Sequence, residues 1–346
     1  MCGIVGAIAE RQVEPILIEG LRRLEYRGYD SAGIALLGED EAIQRRRTEG
    51  KVQRLADNLE EHPVAGVCGV AHTRWATHGP PSERNAHPHV SGTRVAIVHN
   101  GIIENFEALK AELIERGQVF DSDTDTEIVA HLIREALEDG AEDLFEAVRE
   151  TVERLQGAYA LAVVSPDDPN CVITARAGCP VVLGVGFGEN FVASDVAALL
   201  PVTRRFIFLE EGDLARLTRD GIEIRDREGN LVDRPVKESE LVADAMDRGR
   251  YRHFMQKEIH EQPRAVAETL EDRVGESQVF AQAFGPEAAD IFARTRAVQI
   301  VACGTSYHAG LVAKYFIERL CGLPCMVEIA SEFRYRAPVV PADTLY

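Results

Sequence analysis

The pattern of apolar and polar residues predicts an ordered strand at the very start of the chain. Residues 2–9 (CGIVGAIA) are almost entirely apolar, which is typical of a buried strand. Residues 13–26 carry leucine and isoleucine at helical spacing along one stripe, which predicts an amphipathic helix. Chain termini are usually loose unless packing holds them. Order from the second residue onward is therefore the first unusual feature of this sequence.

The other predicted strands and helices occur in clusters. The strands cover residues 32–37, 66–72, 94–99, 158–164, 171–175, 181–185 and 191–194, with short strands continuing to about residue 224. The helices cover residues 104–116, 126–138 and 142–155. Clustering of this kind favours a mixed α/β (α+β) fold, with largely antiparallel sheets under covering helices, over a doubly wound parallel sheet.

The C-terminal part follows a different pattern. Residues 225–250 are highly charged, and we expect the segment 225–285 to be a linker with a connecting helix. An apolar strand is predicted over residues 298–302, followed by a Gly-Thr-Ser turn, a helix and a second strand near residues 326–328. This order predicts the beginning of a parallel α/β unit.

The expected domains cover residues 2–224 and 286–346, on either side of that linker. The roughly 50 residues from position 297 onward are too few for a parallel sheet that is covered on both faces. We therefore expect the sequence to stop inside its second domain.

Composition narrows the range of partners. The 346 residues include 38 Lys and Arg against 57 Asp and Glu, which gives a formal charge of −19. Such an acidic surface repels phosphodiester backbones and anionic lipids, so neither nucleic acid nor a membrane is an expected partner. No apolar run approaches the ~20 residues that span a bilayer, and no charged leader with a cleavage site is present. We expect a cytoplasmic protein.

The seven cysteines do not form a recognisable framework. They include no C-x-x-C pair, and no group of cysteine and histidine residues has the spacing of zinc ligands. We expect no disulfide framework, no metal site and no cofactor.

The N-terminal cysteine is a candidate nucleophile. Removal of Met1 would leave Cys2 with a thiol and a free α-amine, whose ordinary pKa values are ~8.5 and ~7.7–8.0. One residue could then supply both nucleophile and base. The alternative is that Cys2 is a small buried apolar residue on a strand.

Two further segments offer groups that a nucleophile attacking an amide requires. Asn100 and Gly101 follow a predicted strand, and their side-chain amide and backbone N–H could stabilise an oxyanion, although Asn-Gly is also a common hairpin turn. Arg74 follows another strand, where it could bind a carboxylate or could be a surface arginine beside a core tryptophan.

An acidic segment before the helix at residue 126 completes the set. Asp123 or Asp125 could cap that helix, and a carboxylate there could also bind a ligand ammonium group. A thiol, an oxyanion pair, an arginine and an aspartate together match the carboxamide, α-carboxylate and α-ammonium groups of glutamine.

Several segments resemble the class II glutamine amidotransferase domain of the N-terminal nucleophile hydrolases. They are residues 1–6 (MCGIVG), 26–33 (YRGYDSAG), 72–79 (HTRWATHG), 99–101 (HNG) and 124–127 (TDTE). The YRGYDS block, the tryptophan in HTRWATHG, and residues 303–306 and 328–335 (CGTS and EIASEFRY) are more specifically similar to the glutamine–fructose-6-phosphate aminotransferase family. The resemblance implies a four-layer α/β/β/α sandwich followed by the start of a sugar isomerase (SIS) domain.

The resemblance also implies roles for individual residues. Cys2 would be the nucleophile, with Asn100 and Gly101 as oxyanion donors. The remaining roles would be binding of glutamine by Arg74, Thr77, His78 and Asp125, gating of ammonia by Trp75 and Arg27, and binding of a sugar phosphate by Gly304, Thr305 and Ser306. Thr305 or Ser306 could alternatively, or in addition, cap the following helix.

The reaction implied by the resemblance has two steps. Glutamine is hydrolysed through a cysteine thioester, and the ammonia reaches fructose 6-phosphate to give glucosamine 6-phosphate, the first step of amino-sugar biosynthesis. The family's phosphate loop and isomerase residues would follow Tyr346, so we expect this chain to hydrolyse glutamine without forming the amino sugar. The full-length protein is expected to be a homodimer.

Two other functions compete with this one. Another class II amidotransferase, such as the one that makes phosphoribosylamine, would share the cysteine chemistry, but the CGTS turn argues against it. A non-catalytic paralogue could sense sugar phosphates, but every matched catalytic position is intact. The segment Asn85–His89 is predicted to form a structural turn near the site, and no catalytic role is assigned to its histidines.

Overall fold

The structure is a computed structural model that describes residues 2–38, 42–76, 78–239, 250–270, 273–275, 279–285 and 287–346. It forms two compact units, Met1–Arg250 and Tyr251–Tyr346. Within the described residues, no helix combines the length and the apolar character needed to cross a membrane.

The first unit is built from two antiparallel sheets and the helices that cover them. Its strands are β1 (Gly3–Ile8), β2 (Ser31–Leu37), β3 (Ile43–Glu49), β4 (Cys68–Arg74), β5 (His89–Ser91), β6 (Val95–Ile103), β7 (Gly157–Ser165), β8 (Asp168–Ala177), β9 (Val182–Val185), β10 (Asn190–Ala193), β11 (Arg205–Phe208), β12 (Leu214–Leu217), β13 (Ile222–Arg225) and β14 (Val236–Glu238). Its helices are α1 (Glu14–Leu24), α2 (Val52–Glu61), α3 (Phe106–Glu115), α4 (Thr126–Glu138) and α5 (Leu144–Arg154).

The order of the strands places β1 inside the larger sheet. That sheet has eight strands in the order β14-β11-β9-β10-β1-β4-β2-β3, and the smaller sheet has six in the order β13-β12-β8-β7-β6-β5. In the register of β1 and β4, Gly3 lies opposite Thr73 and Ile8 opposite Cys68. Strand β1 is therefore an interior strand, paired on both sides.

Alternation along β1 separates two apolar layers. Ile4 and Ile8 belong to the cluster between the two sheets, whereas Val5 and Ala7 belong to the cluster under α1 and α2. This is the period of two that a strand with both faces buried requires. Every residue of β1 is buried, as its continuous apolar sequence predicts.

The smaller sheet is layered in the same way. Along β6, Ala96 and Val98 face the larger sheet, while Val95 and Ile97 pack in the cluster under α3, α4 and α5. The unit therefore consists of four layers, namely helices, the larger sheet, the smaller sheet and helices. An apolar cluster lies between each layer and the next. The predicted four-layer α/β/β/α sandwich is confirmed.

Some elements were missed in the sequence. Strand β3 (IQRRRTE) has too many charged residues to be identified as a strand, and α2 follows it immediately. Strand β3 forms the outer edge of the larger sheet, and its arginine side chains are half-buried there. His89, the last residue of the predicted turn, begins the short strand β5 (His89–Ser91), which pairs with β6.

The second unit contains a parallel sheet. Its elements are α6 (Phe254–Leu270), α7 (Ala288–Arg294), β15 (Ala297–Ala302), α8 (Gly304–Cys321), β16 (Cys325–Ile329), α9 (Ala330–Tyr335) and β17 (Thr344–Leu345). Strands β16 and β17 both run parallel to β15, as the strand–turn–helix–strand order predicts. The segment 225–285, predicted as a linker with a connecting helix, contains β14 and α6. Strand β14 pairs with β11 in the first unit, and α6 belongs to the second unit.

A group of buried histidines interrupts the apolar interior of the first unit. His72, His87, His89 and His99 are each no more than 5% exposed. The ring of His72 stacks on that of His87 at 4.2 Å, and His87 contacts His89 edge-on at 4.8 Å. Thr126 Oγ1 lies 2.8 Å from His99 Nδ1 and 3.2 Å from His87 Nε2.

Burial keeps these imidazoles neutral. It lowers the pKa of His72 and of His89 to about 3, and it also lowers the pKa of His87 and of His99. The charge of Arg47 lowers the pKa of His89 further, and the carboxylate of Glu127 opposes that effect. At neutral pH the cluster therefore acts through hydrogen bonds and ring packing, not through charge.

The lowered pKa values of the buried histidines predict that acid destabilises the first unit. Since a histidine in an unfolded chain has a pKa near 6.5, its stabilising contribution is complete above about pH 6.5 and is lost as the pH falls toward about 3. The free energy of unfolding should fall over that range. The fluorescence of Trp75, which is the single tryptophan, reports unfolding of this unit.

The variant His89→Gln isolates one member of the cluster. Between pH 6 and pH 4 its unfolding free energy should change less steeply than that of the unaltered chain, by up to about 1.4 kcal/mol per pH unit. His62→Gln, which changes an exposed histidine of the same unit, is the control variant. Equal slopes for His89→Gln and the unaltered chain would contradict this prediction.

Candidate active site

The site lies at one end of the space between the two sheets. Cys2 precedes β1, and its position in the alternation places its side chain on the same face as Ile4 and Ile8. By the same rule Arg74 on β4 follows Cys68, and Asn100 on β6 follows Val98, both of which face the opposite sheet. The period of the strands thus directs three candidate residues into one space.

The thiol of Cys2 lies at the wall of this space. Its Sγ accepts a hydrogen bond from the backbone N–H of Trp75 at 3.1 Å. Burial raises the pKa of the thiol, and the Trp75 N–H and the charge of Arg74 partly oppose that effect. Cys2 is only half-buried and lines a pocket, so the alternative of a buried apolar residue is wrong. A thiol with a raised pKa needs a base before it can act as a nucleophile.

Asn100 is held by hydrogen bonds on both sides of its amide. Its Nδ2 donates to the backbone carbonyl of Cys2 at 3.3 Å, and its Oδ1 lies 2.9 Å from Nε2 of His72. Because Oδ1 can only accept, the neutral imidazole of His72 must carry its proton on Nε2. Asn100 lies within β6, so the alternative of a hairpin turn is wrong.

Gly101 allows strands β6 and β7 to approach each other closely. It has a φ of 132°, and a Cβ there would lie 2.0 Å from the carbonyl oxygen of Ala158 on β7. No side chain can be accommodated at that distance. The backbone of Gly101 therefore remains uncovered beside the pocket.

Arg74 shapes the loop beside the thiol. Its side chain is nearly fully buried, which makes the alternative of a surface arginine wrong. The guanidinium donates to the carbonyl oxygens of His78, Gly79 (3.0 Å) and Pro80 (3.4 Å). Its Nη1 also lies 3.4 Å from Oδ1 of Asp30.

Sequence reasoning missed two residues that position this site. Asp30 accepts a hydrogen bond from the backbone N–H of Ala76 and pairs with Arg74, so it ties the loop to the strand. His72 orients the amide of Asn100. Asp30 lies in the YRGYDS block and His72 in the HTRWATHG block. Their contacts depend on which strands are neighbours in the folded chain, and the local sequence does not show that.

Asp125 occupies the N-cap position of α4 without capping it. Its Oδ2 accepts from the backbone N–H of Ile103 at 2.8 Å, and no hydrogen bond joins its side chain to its own helix. Oδ1 lies 3.9 Å from Nδ1 of His99, and Oδ2 lies 4.0 Å from Nδ1 of His78. The carboxylate thus connects α4 to β6 and faces the pocket.

One small pocket brings the candidate residues together. It is lined by Cys2, Arg74, Trp75, His78, Gly101 and Asp125, among others. Thr77 lies outside the described residues, as does the side chain of Arg27.

Trp75 is not a core residue. Its side chain is 53% exposed, and its ring packs so closely on Gly28 that a Cβ at that glycine would lie 2.4 Å from the ring. Gly28 also has a φ of 99°, so both space and conformation favour glycine there. The tryptophan ring therefore rests on the loop that contains Arg27.

The second unit contains the other candidate set. Gly304, Thr305 and Ser306 form the first turn of α8, directly after β15, and all three are exposed. The N-cap residue is Cys303 and no side chain caps the helix, so the capping interpretation of Thr305 or Ser306 is wrong. Across the described residues, no group of three or more His, Cys, Asp or Glu side chains is placed to hold a metal ion.

Two family models match the chain. The model of the glutamine amidotransferase domain matches residues 72–201, and the model of the SIS domain matches residues 291–346. The first match contains Arg74, Asn100, Gly101 and Asp125.

Curated proteins are similar over the whole chain. The glutamine–fructose-6-phosphate aminotransferase (isomerizing) of Pseudomonas putida is 58% identical over 346 residues, which are 100% of this chain and 56% of that protein. The protein of the same name from Vibrio cholerae is 55% identical over 345 residues, again 100% of this chain and 56% of the relative. The chain thus spans about half the length of the curated relatives that it matches.

Solved structures share the fold. The allosteric regulatory enzyme of purine biosynthesis is 27% identical, with a TM-score of 0.58 over 66% of this chain and 50% of that one. The glutamine phosphoribosylpyrophosphate amidotransferase of B. subtilis matches 99% of this chain and 69% of that one at 21% identity, with a TM-score of 0.59. The fold is that of the N-terminal nucleophile hydrolases. The chain is thus similar over its whole length to glutamine–fructose-6-phosphate aminotransferases (isomerizing) and matches the models of the glutamine amidotransferase and SIS domains.

Proposed function

We propose that this chain hydrolyses glutamine to glutamate and ammonia, with Cys2 as the nucleophile. The observation that carries the proposal is that Cys2, Arg74, Gly101 and Asp125 line the same pocket. The side-chain amide of Asn100 adjoins that pocket through its bond to the Cys2 carbonyl. These groups match the carboxamide and the two charged ends of glutamine.

The reaction would use the free α-amine that Cys2 gains when Met1 is removed. The amine takes the thiol proton, and Sγ attacks the carboxamide carbon. The resulting oxyanion accepts hydrogen bonds from Asn100 Nδ2 and the backbone N–H of Gly101. Collapse breaks the C–N bond and releases ammonia with the returned proton. Water then hydrolyses the thioester to glutamate and regenerates the thiol.

The charged ends of the substrate would be held by opposite charges. Arg74 would bind the α-carboxylate from the wall of the pocket, where three loop carbonyls fix its guanidinium. Asp125 would bind the α-ammonium group, with Thr77 and His78 lining the remaining surface. Because Asp125 already accepts from Ile103, its carboxylate is positioned before the substrate arrives.

In the whole protein, we propose that the ammonia converts fructose 6-phosphate to glucosamine 6-phosphate. The names of the relatives support this acceptor. Gly304, Thr305 and Ser306 would bind the sugar phosphate at the N-terminus of α8, where backbone N–H groups and the helix dipole favour an anion. Trp75 and Arg27 would gate the passage of ammonia.

The organisation of the whole protein belongs to the same proposal. Residues 2–224 would form the amidotransferase domain, 225–285 the linker, and 286–346 the beginning of the SIS domain. We propose a cytoplasmic homodimer that acts on small molecules without a cofactor, nucleic acid or membrane.

Replacement of the nucleophile provides the first test. Cys2→Ala should abolish release of glutamate from glutamine because no other group in the pocket can form the thioester. Cys321→Ala, which changes an exposed cysteine of the second unit, should leave the rate unchanged. Turnover in Cys2→Ala, or none in the unaltered chain after intact mass has verified removal of Met1, would contradict the proposal.

The charge of Asp125 provides a test of substrate binding. Asp125→Asn keeps an acceptor for the N–H of Ile103 but removes the negative charge, so the KM for glutamine should rise at least about tenfold. The matched control is Asp123→Asn, since Asp123 is a neighbouring exposed aspartate that pairs with Arg84. Equal KM values for the two variants would exclude Asp125 from ammonium binding.

The hydrogen bond from His72 tests how the oxyanion donor is positioned. His72→Phe should lower kcat by about ten- to a hundredfold with little change in KM, since it removes the donor that orients Asn100. His72→Gln supplies an amide donor and should retain more of kcat than His72→Phe. Circular dichroism of both variants separates this effect from misfolding. If the two variants lose kcat equally while folded, the hydrogen bond does not act in this way.

A further inference from the structure

Residues 85–89, predicted from the sequence as a structural turn, pack along the residues that lead into α4. Three hydrogen bonds join the two segments: the N–H of Asp123 donates to Asn85 Oδ1 (3.0 Å), Thr124 Oγ1 lies 3.0 Å from His89 Nε2, and Thr126 Oγ1 lies 3.2 Å from His87 Nε2. These bonds lie on both sides of Asp125 along the chain. The position of Asp125 is thus fixed through its neighbours as well as by its own bond to the N–H of Ile103.

The side-chain amide of Asn85 also reaches the loop beside Arg74. Its Nδ2 donates to the carbonyl of Pro80 at 3.0 Å and to Oδ2 of Asp123 at 3.3 Å. The same carbonyl of Pro80 accepts from Nη1 of Arg74 at 3.4 Å. Since Oδ1 accepts from the N–H of Asp123, both the donor and the acceptor of the amide are engaged. One side chain therefore links the loop that holds Arg74 to the segment that contains Asp125.

Close packing leaves this amide little freedom to move. Asn85 is 1% exposed, and a Cβ at Gly79 would lie 2.6 Å from its Nδ2. The backbone on either side of Asn85 is held as well, because Arg47 on β3 donates to the carbonyls of Arg84 at 3.1 Å and of Ala86 at 2.9 Å. A buried and hydrogen-bonded amide orients the groups that it binds, and its removal would take a partner from both segments.

We propose that Asn85 is a positioning residue for glutamine, which fixes the separation between Arg74 and Asp125. The inference rests on the roles proposed above for these two residues, which would bind the carboxylate and the ammonium group of the substrate. Asn85 is not among the described residues that line the pocket around Cys2, so it acts through its neighbours. A substrate with two charged ends binds well only where both partners are held at the matching distance.

The test compares the kinetics of glutamine hydrolysis in the unaltered chain, Asn85→Ala and Asn190→Ala. Asn190 is the matched control because it is also buried, its Nδ2 donates to the carbonyl of Thr218 at 2.7 Å, and it lies opposite Ile8, at the end of β1 remote from Cys2. Asn85→Ala should raise KM at least about tenfold and change kcat less than about threefold, since the thiol and the oxyanion donors keep their places. Asn190→Ala should leave both constants unchanged.

Two additional variants separate positioning from a general loss of structure. Asn85→Asp keeps the acceptor for the N–H of Asp123 but loses the donor to Pro80, so KM should rise at least about threefold while circular dichroism stays unchanged. When Asn85→Ala is combined with Asp125→Asn, the change at position 85 should raise KM by a smaller factor than it does in the unaltered chain. One of the two groups that Asn85 positions has then already lost its charge. A general loss of structure would give the same factor in both chains.

Three results would overturn the inference. They are equal KM values for Asn85→Ala and Asn190→Ala, an equal factor with and without Asp125→Asn, and a loss confined to kcat. Failure of the proposed function looks different, because the unaltered chain itself would then release no glutamate from glutamine, and the role of Asn85 would fall with it. Turnover by the unaltered chain together with an unchanged KM in Asn85→Ala contradicts the role of Asn85 alone.

Discussion

The structure depends on holding the second residue of the chain in place. Cys2, the proposed nucleophile, directly precedes β1, and this strand holds it. Strand β1 achieves this by pairing with β4 over six residues and with β10 over four. Ile4 adds two bonds to Ser194, since its N–H donates to Ser194 Oγ and its carbonyl accepts from Ser194 N–H, both at 3.1 Å. Pairing on both sides of β1 thus holds a segment that, near a chain terminus, is usually loose.

That arrangement also determines where the other groups of the site lie. Since side chains alternate along a strand, an even-numbered position on β1, β4 or β6 faces the space between the sheets. Cys2, Arg74 and Asn100 all satisfy this condition. A one-residue slip of β4 against β1 would turn Arg74 toward the helices and replace it by Thr73 or Trp75. The apolar layers that fix the register therefore fix the site as well.

How much could be predicted from the sequence differs among these elements. Strand β1 was predictable because both its faces are buried and its residues are apolar throughout. The roles of Cys2 and Asn100 stay predictions, which rest on the fact that few residue types can attack an amide or stabilise an oxyanion. Strand β3 was not predictable, because its sequence (IQRRRTE) lacks the apolar alternation of a strand. Such a charged sequence is tolerated at the edge of the sheet. The contact of His72 with Asn100 was not predictable either, because it depends on how β4 lies over β6.

The neutrality of the buried histidines connects the fold to the chemistry proposed for it. Nδ1 of His99 lies 3.9 Å from Asp125, and a protonated imidazole there would neutralise that carboxylate. Although Asp125 favours the charged imidazole, burial has the larger effect and lowers the pKa of His99. The negative charge of Asp125 therefore stays available to the ammonium group that we propose it binds. The same burial leaves His72 with one N–H to orient Asn100, so the interior supplies hydrogen bonds without adding charges that compete with the substrate.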